Sequence, residues 1–76
     1  MRNKDAEERV KRLLEKFEEV RKQQGLSHEK LAEKAGLHRS TVGLLENKKR
    51  IPTILTCFKI ADALDVSLVS IIKEVS

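Results

Sequence analysis

Apolar residues recur along the chain in five blocks, each at the three- and four-residue spacing of a helix face. The first is the longest: Val10, Leu13, Leu14, Phe17 and Val20 make one stripe on an otherwise charged surface, and Gly25 ends it, with residues 1–5 expected to fray. A second helix starts at Ser27, whose hydroxyl suits a free backbone N–H of the first turn, and stops at Gly36, which tolerates the left-handed backbone that closes a helix. Leu37 alone connects it to His38, the expected cap of a third helix. Thr53 caps a fourth, with Ile54, Phe58, Ala61 and Leu64 as its apolar face, widened by Ile60 and Ala63. Asp65 interrupts where Gly or Asn is more usual, and Ser67 caps a short fifth helix. Leu26 with Leu31, Leu37 with Val42, and Val66 with Ile71 share the spacing of a hydrophobic staple. The pattern predicts one all-α domain over residues 1–76.

Two short helices joined across a glycine turn have the spacing of a helix-turn-helix, here residues 27–46. A helical hairpin in a purely structural bundle has that spacing too. Placing residues 38–47 at about 100° per residue turns Val42 and Leu45 inward. Ser40, Gly43, Leu44 and Asn47 then lie opposite, with Arg39 and Thr41 at the flanks. That outer face is small and polar, shaped for a DNA major groove about 12 Å wide. In such a groove Arg39 can donate twice to a guanine, Ser40 and Thr41 can bond to base or phosphate, and Leu44 can touch a thymine methyl. A solvated helix face has the same composition. Gly43 costs about 1 kcal/mol inside a helix relative to alanine, for which close approach to DNA is one reason and drift at a tolerant surface position another.

Charge bears on that choice. The 76 residues carry a net charge of +4, distributed as +2 over residues 1–26, +3 over 27–50 and −1 over 51–76. The middle third is thus the natural place for a polyanion. Lys48, Lys49 and Arg50 directly follow the third helix, within reach of phosphates flanking the bases it would read, and they would supply affinity rather than sequence choice. Ser27 and His28 open the second helix, where free N–H groups and the positive dipole end suit a phosphate.

Other chemistries find little support. Aromatic residues are 3%, so the core is packed from aliphatic side chains. A single cysteine, Cys57, excludes an intramolecular disulfide, and with His28 and His38 it is too few soft ligands for a structural zinc site. Cys57 is read as a small buried residue. No Gly-rich phosphate loop, metal set or nucleophile–base pair appears, so neither an enzyme nor a cofactor, metal or small-molecule ligand is expected. No apolar run approaches the ~18 residues of a membrane span, and the charged first residues do not read as a signal peptide. No membrane partner and a cytoplasmic location are expected.

From about Val20 to Ile72 the chain resembles the phage Cro and repressor type helix-turn-helix family, the XRE family, which includes phage repressors and restriction-modification controller proteins. The resemblance rests on Arg21, Gly25-Leu-Ser27, Leu31-Ala32, Ala35-Gly-Leu37, Arg39-Ser-Thr-Val42, Leu45-Glu46, Pro52 and Ile60-Ala-Asp-Ala-Leu-Asp-Val-Ser-Leu68. It implies a five-helix, lambda-repressor-like DNA-binding domain whose third helix enters the major groove. By position, Arg39, Ser40, Thr41, Gly43 and Leu44 fall where the family contacts bases, and Ser27, His28, Asn47 and Lys49 where it contacts phosphate. Arg21 and Glu46 match a buried ion pair between the first and third helices. Gly43 and Leu44 depart from the longer polar side chains common there, so readout leans on Arg39, Ser40 and Thr41 and on DNA shape.

One domain of this size spans few base pairs, so a regulator reading a two-fold operator as a homodimer is expected, with half-sites about 34 Å apart. The apolar excess of residues 66–76 can supply the interface, with Leu68, Ile72 and Val75 as candidates; the alternative, that such residues only complete the core, applies most strongly to Leu68 and Ile71. The competing reading is a protein-binding module such as an antitoxin, or the DNA-binding domain of a larger regulator.

Overall fold

Each block of helical periodicity folds as a helix. A computed structural model describes residues 3–76 as α1 (Asn3–Gln23), α2 (His28–Ala35), α3 (Arg39–Glu46), α4 (Ile54–Ala63) and α5 (Leu68–Val75), with no strand among the described residues. Helix α1 as described from Asn3 includes Lys4 and Asp5, part of the segment expected to fray. Asp5, in the first described turn, suits the positive end of the helix dipole. Residues 1 and 2, the rest of the segment expected to fray, lie outside the described residues.

The boundaries follow local chemistry. Ser27, Thr53 and Ser67 accept from the backbone N–H three residues on, at 3.0, 3.1 and 3.3 Å, and His38 Nδ1 accepts from the Ser40 N–H at 3.1 Å. At the other ends one device recurs. A left-handed residue closes α1, α2, α3 and α4 in turn: Gly25 (φ 69°), Gly36 (68°), Lys48 (58°) and Asp65 (61°). The next N–H then reaches back to the carbonyl five residues earlier, in Leu26 to Arg21, Leu37 to Ala32, Lys49 to Leu44 and Val66 to Ala61 (2.8–3.1 Å). Side chains from elsewhere satisfy further terminal carbonyls: Gln24 Nε2 donates to Leu64 O at 2.7 Å and Arg12 Nε to Val75 O at 3.1 Å.

All five helices feed one core. Leu14, Phe17 and Val20 come from α1, Leu31 and Ala32 from α2, Val42 and Leu45 from α3, Cys57, Ile60 and Ala61 from α4, Leu64 from its end, and Leu68 and Ile71 from α5. Helix α1 packs on α3 and α5, α2 on α3 and α4, and α4 on α5. The expected face of α4 needs correcting. Ala61, Leu64, Ile60 and Cys57 are buried as expected, but Ile54 and Phe58 are 65% and 49% exposed. The stripes through Phe58 and through Cys57 share Ala61 and Leu64, so periodicity does not separate them. Small buried side chains stand on both of the packed helices α2 and α4, Ala32 and Ala35 on the one and Cys57 and Ala61 on the other.

Polar contacts lock the helix-turn-helix to α1. Arg21 is 8% exposed and grips Glu46 with two nitrogens, Nε to Oε2 at 2.7 Å and Nη2 to Oε1 at 2.9 Å, while Nη1 donates to Leu26 O at 2.7 Å. His28 Nε2 adds a third contact to Glu46, 2.9 Å from Oε1, so α1, α2 and α3 meet on one carboxylate. Burial alone pushes that carboxyl up, but hydrogen bonds from Arg21 and His28, with their charge, outweigh it and hold Glu46 below the usual glutamate range. The same hydrogen bond raises the Arg21 guanidinium.

A carboxyl lowered in the folded state contributes stability above its unfolded pKa of about 4.3 and loses it as pH falls through the folded value. Thermal melts of the wild-type chain are therefore expected to drop on acidification below about pH 4.3. Glu46→Gln leaves the Arg21 guanidinium buried without a counter-charge and should cost about 3–5 kcal/mol near neutrality. That is a large part of what a chain of this length holds, at about 0.1 kcal/mol per residue. Its acid transition should be correspondingly shallower. A melting temperature for Glu46→Gln within a few degrees of wild type at pH 7 would show that the pair does not carry the fold.

Candidate nucleic-acid interface

Helix α3 is held at both ends, by the His38 cap after the Gly36 turn and by the Glu46 contacts, and it buries Val42 and Leu45 to 2% exposure each. That burial fixes which face turns outward. Arg39, Ser40 and Asn47 are exposed and Thr41, Gly43 and Leu44 partly so, which leaves all five expected base-contacting residues accessible on one short helix.

Each presents a definite chemistry. The Arg39 side chain is 70% exposed, and its Nη1 lies 3.7 Å from Glu29 Oε2 on α2. Ser40 Oγ sits 2.7 Å from the His38 Nδ1 that also accepts the Ser40 N–H. In the tautomer that makes both contacts hydrogen bonds, the Ser40 hydroxyl donates to the ring and its oxygen is left to accept from a base amino group. Thr41 Oγ1 accepts from Arg50 Nη1 at 3.5 Å, which brings a cation of the following loop back beside α3. A Cβ on Gly43 would meet only His28 Nδ1, at an ordinary 3.7 Å. Nothing inside the protein therefore requires glycine there.

The expected phosphate-contacting residues divide. Ser27 caps α2 at its exposed start, and Asn47 and Lys49 are exposed beyond α3. His28 has its Nε2 committed to Glu46, so only Nδ1, on the Gly43 side, is open to a further partner. Arg50 turns toward α3, whereas Lys48 turns toward α1, with Nζ 3.5 Å from Glu46 O and 4.0 Å from Glu15. Lys48, Arg50 and Ile51 border an open groove of about 280 Å³ against Val10 and Leu14 of α1.

The interface candidates divide as well. Leu68 is in the core at 5% exposure, Val75 is half-buried, and Ile72 is 40% exposed. Four large apolar side chains that were not among the interface candidates are exposed alongside: Ile54, Leu55 and Phe58 on α4, and Val69 on α5. A surplus of apolar residues on α4 beyond one face was the available signal for them. Glu29, the carboxylate facing Arg39, was also missed, because no spacing rule links α2 to α3 there. Cys57 is 5% exposed and burial pushes its thiol up, which keeps it from the reactive thiolate form. Among the described residues no His, Cys, Asp and Glu group could hold a metal ion, and no helix is long and apolar enough to cross a membrane.

Comparison with known proteins agrees with this geometry. A family model described as helix-turn-helix matches residues 17–71. The control protein C.SmaI of Serratia marcescens is 41% identical over 56 residues, which is 74% of this chain and 67% of that protein. An uncharacterized HTH-type transcriptional regulator, y4dJ, of Sinorhizobium fredii (strain NBRC 101917 / NGR234) is 32% identical over 56 residues, 74% of this chain and 73% of its own length. The crystal structure of the restriction-modification controller protein C.AhdI from Aeromonas hydrophila superposes with a TM-score of 0.75 at 36% identity, covering 83% of this chain and 94% of that one. The match spans both helices of the motif and the core that holds them, and the chain thus belongs to the helix-turn-helix family of XRE type, whose members are DNA-binding transcriptional regulators.

Proposed function

We propose that the chain is a controller-type regulator that binds a two-fold DNA operator as a homodimer, with α3 of each protomer in the major groove. The observation that carries this reading is the outer face of α3: small, polar, accessible and pinned at both ends by the Gly36 turn and the Glu46 carboxylate. Arg39, Ser40 and Thr41 would make the base contacts, with Gly43 and Leu44 against the base edges. Ser27, His28, Asn47, Lys49 and Arg50 would hold the flanking phosphates, and Lys48 joins them only by leaving Glu15. The similarity to two restriction-modification controller proteins supports a regulatory role of that kind.

Dimerisation is supported by where apolar surface remains. Helices α4 and α5 pack on each other, and together they leave Ile54, Leu55, Phe58, Val69 and Ile72 at least 40% exposed in the third of the chain with a negative balance. Ile72 and Val75 remain candidates for the interface, and the buried Leu68 would act by supporting them. The same surplus also suits capture of a different protein, as in an antitoxin.

Binding to duplex DNA from the region upstream of its gene should weaken by about 10³-fold or more between 50 and 200 mM salt, as counterion release from some six or more phosphate contacts requires. Tight capture of a neighbouring gene product with no duplex binding would favour the protein-binding reading. Sedimentation should show a dimer at micromolar concentration and a monomer for Ile72→Glu; a wild-type monomer at high micromolar concentration overturns the homodimer. Gly43→Ala should raise stability by up to about 1 kcal/mol through helix propensity, since the methyl group fits. If α3 approaches the bases closely at this position, the same variant binds its operator at least about tenfold more weakly, the equivalent of ~1.4 kcal/mol; unchanged affinity would mean that it does not.

A further inference from the structure

Residues 27–50 hold three carboxylates, of which one is buried in an ion pair and one lies near a lysine of its own helix. Glu46 is buried on Arg21 and His28, and Glu33 lies 3.9 Å from Lys30 one turn away on α2. Glu29 is different. It projects from the first turn of α2, beside the proposed phosphate-contacting Ser27 and His28, and reaches across to α3, where its Oε2 lies 3.7 Å from Arg39 Nη1. An anion in that place opposes binding of a polyanion. It also contributes little to the fold, because both side chains are at least 70% exposed and ion pairs so exposed are screened by solvent.

We infer that Glu29 is a positioning residue for Arg39, which directs the guanidinium to a base rather than a phosphate and so sets sequence discrimination. This rests on the DNA-reading role of α3 proposed above. The Arg39 guanidinium is otherwise open to solvent. It stands beside an open hollow of about 360 Å³ lined also by Ala32, Glu33, Leu37 and His38, and its own side chain is 70% exposed. An unrestrained arginine at the rim of a groove is drawn to phosphates, which carry no sequence information. With Nη1 turned toward Glu29 at 3.7 Å, Nη2 and Nε remain for the two acceptors of a guanine. The carboxylate also offsets much of the local charge that a phosphate would attract, so affinity for the wrong sequence falls more than affinity for the right one. Placement at the positive end of the α2 dipole is the alternative role for Glu29, and that role would not act through Arg39.

The test uses the full chain and a duplex that the wild type selects from a random-sequence pool, set against an unrelated duplex, with binding followed by fluorescence anisotropy across a salt series. Glu29→Gln should bind the unrelated duplex severalfold more tightly, with the slope of log affinity on log salt steeper by about 0.9 per protomer, one further phosphate contact each. Its preference for the selected duplex should fall at least about tenfold, since one bidentate base contact is forfeited in each protomer. Melting should stay within a few degrees of wild type, as suits an exposed pair. In an Arg39→Ala background the same substitution should leave preference unchanged. Retention of full preference in Glu29→Gln overturns the inference, as does an equal effect with Arg39 absent, which would mean the carboxylate acts on phosphates by itself. If Arg39→Ala abolishes preference while Glu29→Gln does not, only this inference falls. If Arg39→Ala leaves preference intact, or the wild type selects no duplex, the reading of α3 falls with it.

Discussion

The Glu46 carboxylate takes contacts from Arg21 on α1 and His28 on α2 while closing α3, and the orientation of the helix-turn-helix depends on that convergence. A buried ion pair contributes little net stability when its desolvation is counted, but losing one partner is costly because the other charge is stranded. The contact therefore acts as a register pin. It sets where the end of α3 sits relative to α1 and α2, and the Gly36 turn with the His38 cap sets where it begins. With both ends placed, the angle at which Arg39, Ser40 and Thr41 leave the surface has little freedom. Preorganisation of this kind avoids ordering the reading helix at the moment of binding.

Helices as short as α2, α3 and α5, eight residues each, do not persist alone in water. Two things compensate. Every helix from α2 to α5 starts on a side chain that accepts from its first turn, and every helix from α1 to α4 ends in a left-handed residue whose follower bonds back to the carbonyl five residues earlier. Leu26, Leu37 and Val66, each just outside a cap, pack onto the common core and fix the angle at which the chain enters the next helix. Lys48 and Asp65 adopt the left-handed conformation without being glycine, at a cost of about 1–2 kcal/mol each that the surrounding core contacts offset.

The two halves of the surface are organised for different partners. The helix-turn-helix side is cationic and polar, with its only long carboxylate reach, Glu29, aimed at Arg39. The α4 and α5 side leaves several large apolar side chains in solvent. A domain this small buries a limited share of its apolar surface, so a surplus on one pair of helices is more telling than scattered exposure would be.

Much of this was legible locally. Helix number, caps and glycine closures, the inward turn of Val42 and Leu45, and the pairing of Arg21 with Glu46 all follow from periods, cap chemistry or family motif within the sequence. All but the last are short-range properties, which a helix of 3.6 residues per turn decides from its own side chains, and the Arg21–Glu46 pairing came from the family motif. What needed the folded molecule was every choice between equivalent local solutions. The spacing of α4 placed Ile54 and Phe58 on its apolar face, and the fold leaves both in solvent while Cys57 and Ile60 are buried. The cluster Lys48-Lys49-Arg50 read as one cationic run, yet the left-handed turn at Lys48 sends it toward Glu15 while Arg50 returns to Thr41. His28 read as a free phosphate ligand until Glu46 met its ring, and Glu29 had no reading before Arg39 was seen against it. In the last three cases the deciding contact joins segments at least nine residues apart, where the outcome is set by which side chains fit together in three dimensions and not by any period along the chain.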